Sequence, residues 1–222
     1  MAFYIPKPDS QDQKIYEKVD AGTWLARCYS IVDLGLIEVN FNKNDDKENK
    51  PTLKRFVEFG FEVPDQTFED PEKGILPKTI FRKFTQSLYE KAHLRLNIES
   101  WLSKKLLPGQ EWSFDIESLL GKPCLISVIE KDSGWRDIAT ISAVPEGMPV
   151  PELYNRNILF NASMDQEEKE LNLALMTENK RKRVLEGHEK LNQLLNKKPE
   201  SVAIDVKPNK SFEQELDDLP WS

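Results

Sequence analysis

Apolar and polar residues alternate along much of the first 145 positions, and a helical spacing interrupts that alternation once. Thr23–Phe41 is rich in β-formers (Trp24, Tyr29, Ile31, Val32, Ile37, Val39, Phe41) and predicts a long first strand. Gly35 inside it predicts a bulge or sharp bend. A charged loop, Asn42–Lys50, leads to a second predicted strand, Leu53–Val63. Its alternation places Leu53, Arg55, Val57, Phe59, Phe61 and Val63 on one face and Lys54, Phe56, Glu58, Gly60 and Glu62 on the other. Pro64–Gly74 reads as a loop and Thr79–Tyr89 as a third strand, with Ile80, Arg82 and Phe84 opposite Phe81, Lys83 and Tyr89.

The period then changes. Leu94, Ile98, Trp101, Leu102 and Leu106 form the stripe of one amphipathic helix, which Pro108-Gly109 should end. A short helical turn over Phe114–Leu120 precedes two more strands, Pro123–Lys131 and Trp135–Val144, joined at Asp132-Ser133-Gly134. The order β-β-β-α-β-β predicts a mainly β, α+β fold: a five-stranded OB-fold barrel with one helix between strands 3 and 4. Other small α+β sheets share that order. Residues 1–20 read as an arm, 21–150 as the barrel domain, 151–198 as a helical extension and 199–222 as a flexible acidic tail. Within the extension, Asn157–Asn161 adds a short strand, and Ser163 or Asp165 caps a helix with Glu167 and Glu168 in its first turn. Thr177 and Gly187 divide the helical part of the extension into two or three short helices, which either dimerise or pack back on the barrel.

Charge first argues against a nucleic-acid partner, because the chain of 222 residues carries −7. Six acids from Glu200 onward (Glu200, Asp205, Glu213, Glu215, Asp217, Asp218) face only Lys207 and Lys210, so the tail holds −4 and the rest −3. A nearly neutral body leaves room for a basic groove. Binding a single strand needs cations along the backbone path and aromatic faces for the bases. Strands 2 and 3 offer Lys54, Arg55, Phe56, Phe81, Arg82 and Lys83, with Tyr89 beyond; Arg27 lies on strand 1, and Trp135 and Arg136 open strand 5. Arg181-Lys182-Arg183 is a further basic run on a predicted helix, where a solvated face is the ordinary reading.

Other chemistries have little support. His93 and His188, the two histidines, lack a metal-binding spacing, and no nucleophile elbow, P-loop or dinucleotide fingerprint is present. The expectation is therefore no enzyme and no cofactor or metal, although Asp33, Glu58, Glu62, Asp115 and Asp137 leave metal-dependent nuclease chemistry as a formal alternative. Cys28 and Cys124 lie in apolar strands and read as small buried thiols. No apolar run is long enough to span a membrane, and the start lacks the basic region and apolar stretch of a secretory signal.

Two resemblances add to this reading. Ala21-Gly22-Thr23-Trp24-Leu25-Ala26-Arg27-Cys28-Tyr29 with Asp33-Leu34-Gly35, Leu119-Leu120-Gly121-Lys122-Pro123-Cys124-Leu125 and Pro145-Glu146-Gly147-Met148 resemble a family of bacteriophage single-stranded-DNA-binding proteins over residues 21–162. The likeness implies an OB-like fold, strand coating in phage DNA replication and recombination, and a cytoplasmic location in an infected bacterial host. This chain departs from the pattern in its acidic Asp45-Asp46 loop and its small excess of basic residues. The tail tip Asp217-Asp218-Leu219-Pro220-Trp221 looks like the acidic tip of bacterial single-stranded-DNA-binding proteins, which implies docking of replication or recombination proteins. Trp221 stands where Phe is usual, and Ser222 displaces the terminal carboxylate by one residue. A protein-interaction adaptor with incidental DNA contact, or a homo-oligomer, also fits these features.

Overall fold

The computed structural model describes residues 17–39, 51–109 and 113–196. Six strands form one mostly antiparallel sheet: β1 (Gly22–Val39), β2 (Thr52–Asp70), β3 (Gly74–Thr85), β4 (Pro123–Glu130), β5 (Arg136–Ser142) and β6 (Ile158–Phe160). Three α-helices accompany it: α1 (His93–Leu102), α2 (Gln166–Ala174) and α3 (Glu178–Asn196). The hydrogen-bonded order is β3-β2-β1-β4-β5, and β6 runs parallel to β1. The fold is thus α+β, as its pattern predicts. None of the helices is long and apolar enough to cross a membrane among the described residues.

The expected closed barrel is corrected to an open sheet. The edges of β3 and β5 lie near one another, and Arg82 reaches Asp137 at 3.8 Å, but no ladder joins them. The reason lies in α1. Asn97 Oδ1 accepts from the Ile141 amide at 3.1 Å, and the Ser100 carbonyl accepts from Ala143 N at 3.1 Å. With part of its free edge satisfied by the helix, β5 has less left to offer β3.

Strand lengths also differ. The expected loop over 64–74 is instead the continuation of β2 through an irregularity between Val63 and Thr67, followed by a tight turn into β3. Asp70 Oδ1 accepts from the amides of Glu72 and Lys73, both at 2.9 Å, which turns the chain without a long loop. Consequently β3 begins at Gly74 and ends at Thr85, four residues before Tyr89. Helix α1 stops well before Pro108. Ser103 takes a left-handed conformation (φ 49°) there, and Leu106 buries itself from the following loop.

Two apolar clusters lie on opposite sides of the sheet. The larger packs Phe59, Phe61, Ile126, Ile138 and Ile141 against Leu94, Ile98 and Trp101 of α1, and includes Val19 from before the first strand. The smaller gathers Val32, Leu34, Phe56 and Phe160 beneath Met176 and Val184. Cover on both faces explains why Phe56–Val63 is buried without a break although its sequence alternates. The segment after β5 therefore packs back on the sheet. Asp165 caps α2, accepting from Glu168 N at 2.8 Å, and Thr177 separates α2 from α3. Gly187, expected to break the helix, lies inside the continuous α3.

Candidate nucleic-acid interface

The outer face of β2 and β3 is shaped by a missing side chain. Gly60 pairs with Phe81 across the two strands. A Cβ on Gly60 would lie 2.6 Å from the Phe81 ring and 2.9 Å from Ser30 Cβ. The phenyl ring can lie over bare backbone only because position 60 has no side chain. Phe81 remains 41% exposed and meets buried Tyr29 edge-on, with ring centres 6.1 Å apart. Burial raises the Tyr29 hydroxyl above its ordinary range, and a hydrogen bond with Thr79 opposes the shift. At neutral pH Tyr29 is an uncharged floor to this surface.

Helix α3 brings cations to that floor. Lys180 Nζ sits 4.4 Å from the centre of the Phe81 ring and 2.7 Å from a Glu58 carboxylate oxygen. Arg183 approaches the other Glu58 oxygen at 3.9 Å while its side chain stays 56% exposed. From β3, Lys83 lies 4.8 Å from the Phe56 ring centre. Two cations pair with one carboxylate, and Lys83 stands opposite it in the β2–β3 register, so positive charge is left over beside a half-exposed aromatic ring. Backbone phosphates and bases need that combination.

The alternation of the strands divides the ten residues expected at this interface. Phe56, Phe81 and Lys83 share the outer face by register, with Lys83 over the buried Phe56 ring, and Lys54 belongs to that face of β2. Arg55 turns to the other side, where its guanidinium pairs with buried Asp33. Arg82 likewise points away, stacks 5.1 Å from the centre of the core Phe84 ring and faces Asp137. Arg27 is committed to backbone, donating to the carbonyls of Pro151 at 3.1 Å and Gly121 at 2.5 Å. Arg136 pairs with Glu130 across the β4–β5 hairpin. Trp135, at the turn of that hairpin, is 65% exposed. Tyr89, on the β3–α1 connection, is exposed beyond the strand's end. The docking residues Asp217, Asp218, Leu219, Pro220 and Trp221 lie outside the described residues.

Lys180 is the residue that reading the strands alone misses. Its only sequence signal is that Lys180-Arg181-Lys182-Arg183 is the densest basic run in the chain. Periodicity does not say what such a run lies against. The acids considered for metal chemistry are engaged elsewhere: Glu58 with Lys180, Asp33 with Arg55, Asp137 with Lys131, Glu62 with backbone amides, and Asp115 with the amide of Glu117. Among the described residues, no three His, Cys, Asp or Glu side chains gather closely enough to hold a metal.

Comparison with known proteins finds no match to a protein family, a curated protein or a solved structure.

Proposed function

We propose that this chain is a non-sequence-specific single-stranded-DNA-binding protein of OB type, acting in phage DNA replication and recombination. It recruits partner enzymes through the tip Asp217-Asp218-Leu219-Pro220-Trp221. One observation carries the reading: on the β2–β3 face Lys180 lies over the half-exposed Phe81 ring, with Arg183 beside the same Glu58 carboxylate and Lys83 over the Phe56 ring. The strand order β3-β2-β1-β4-β5, with α1 between β3 and β4, supports it, because OB folds bind oligonucleotides on their strand 2–3 face. A base stacking on Phe81 would take the place of the Lys180 ammonium, which then pairs with a phosphate.

The test is fluorescence anisotropy of a labelled oligo-dT over a salt series with the full-length protein. Affinity should fall steeply with salt, and Lys180→Ala with Arg183→Ala should reduce the log–log slope by roughly 0.7 per cation removed. Binding that is absent or indifferent to salt overturns the reading. Deleting Phe212–Ser222 should leave oligo-dT affinity undiminished while removing partner recruitment.

One feature favours a protein-interaction adaptor as a second reading. Leu171 on α2 and Leu185 and Leu194 on α3 are about half exposed or more. Full-length protein that fails to shift oligo-dT in a gel would favour it.

A further inference from the structure

A second wall of the β2–β3 face is built by the chain that continues beyond β5. Arg27 and Glu62 stand opposite one another on β1 and β2. Both are spent on this segment. Arg27 Nη1 donates to the Pro151 carbonyl at 3.1 Å. Glu62, with no exposed surface, accepts from Tyr154 N at 2.7 Å, Asn155 N at 2.8 Å and Asn155 Nδ2 at 2.7 Å. A carboxylate is costly to bury, and here its oxygens are satisfied by the amides of one short stretch. The stretch is therefore held in one register. Leu153 and Asn155 are half-buried, while Tyr154 and Arg156 point outward, Tyr154 with 58% exposure.

The position matters. Glu62 pairs with Thr79, and Gly60 pairs with Phe81. The Tyr154 anchor thus lies two residues along the strands from the Phe81 ring, about 7 Å at the usual rise. An exposed phenol whose backbone amide is held by a buried carboxylate, with an exposed guanidinium two residues on, thus borders the face that carries Phe81 and Lys180.

We infer that Tyr154 is a second base-stacking platform and Arg156 its phosphate contact, with Glu62 and Arg27 as the positioning residues that present them. The inference rests on the single-strand-binding reading above. Tyr154 supplies a ring face to a base of any identity, and Arg156 pairs with the backbone of the same strand.

Three variants of the full-length protein test it by oligo-dT anisotropy. Tyr154→Ala should weaken binding roughly 5- to 100-fold, the loss of one base stack, with the salt slope unchanged. Tyr154→Phe should restore affinity, because the ring and not the hydroxyl does the work. Arg156→Ala should lower the salt slope by roughly 0.7. Crosslinking from an oligo-dT carrying 5-iododeoxyuridine should place adducts on the peptide containing Tyr154. Parent protein that binds oligo-dT while Tyr154→Ala binds equally well overturns this inference and leaves the function standing. Parent protein that does not bind oligo-dT overturns both. An unchanged melting temperature in Tyr154→Ala separates lost stacking from lost structure.

Discussion

Gly35 of β1 and Gly187 of α3 meet backbone to backbone. A Cβ on Gly35 would stand 2.3 Å from the Gly187 carbonyl carbon, and one on Gly187 would stand 1.9 Å from the Leu34 carbonyl oxygen. Gly35 has φ +67° and sits where the β1–β2 register shifts. Asp33 Oδ1 fixes that bulge by accepting from Gly35 N at 3.0 Å, and His188 Nε2 lies 2.9 Å from the Asp33 carbonyl oxygen. The bulge is thus the seat of α3, and the seat places Lys180 over Phe81 and Arg183 beside Glu58.

Replacing Gly187 with alanine should therefore destabilise the protein, although in a free helix the change is favourable by about 1 kcal/mol. The methyl group has no space, so α3 must lift from β1, at a cost of about 1–3 kcal/mol typical of overpacking. Thermal denaturation should show a melting temperature lower by several degrees. A Gly187→Ala protein as stable as its parent would mean that α3 does not sit on the bulge.

Gly60 and Phe81 make a second pair in which a missing side chain matters. Phe81→Ala should weaken oligo-dT binding by roughly 5- to 100-fold, and Phe81→Tyr should retain most of it. Gly60→Ala should reproduce part of the loss with the ring still present, since the new methyl group displaces it from the strand. Titrations that find Gly60→Ala binding as tightly as its parent would separate the ring's placement from its role.

Glu99 gives the fold an acid-sensitive anchor. Lys105 at 2.8 Å, then Arg95 at 2.9 Å and the Leu106 amide at 3.0 Å, lower this buried carboxyl from 4.5 to about 2, against the opposing effect of burial. The folded state therefore releases the proton more readily than the unfolded chain. The stabilisation is complete above about pH 4.5 and is lost as pH falls toward about 2. Melting temperatures measured from pH 7 to pH 2 should fall across that window. Glu99→Gln should be less stable at neutral pH and show a shallower acid decline.

Cys28 and Cys124 should resist thiol reagents in the native protein. Both are fully buried and unpaired, and burial pushes the Cys28 thiol up to about 12 and Cys124 well above its ordinary value. A thiol-quantifying reagent at pH 8 should titrate neither until denaturant is added. Rapid reaction without denaturant would show that the β1–β4 pairing opens easily.

Local pattern in the chain is enough to define the elements with a strong signal: β1 with its bulge at Gly35, the faces of β2, the start and apolar stripe of α1 as far as Leu102, the β4–β5 turn and a helix cap narrowed to Ser163 or Asp165. Each depends on neighbours a few residues away, through side-chain alternation, backbone freedom at glycine or a local hydrogen bond. Alternation also separates Phe81 and Lys83 from Arg82, and Phe56 from Arg55. What covers each face is settled by packing alone. Gly187 reads as a helix breaker until Gly35 is found against it, Arg27 reads as a DNA contact until it meets Pro151, and nothing in the local pattern singles out Lys180 until α3 sets it over Phe81. The open edge between β3 and β5 belongs with these, because whether two edges pair depends on what α1 has already satisfied. These are contacts between residues far apart in the chain, and a local pattern carries no information about distant partners.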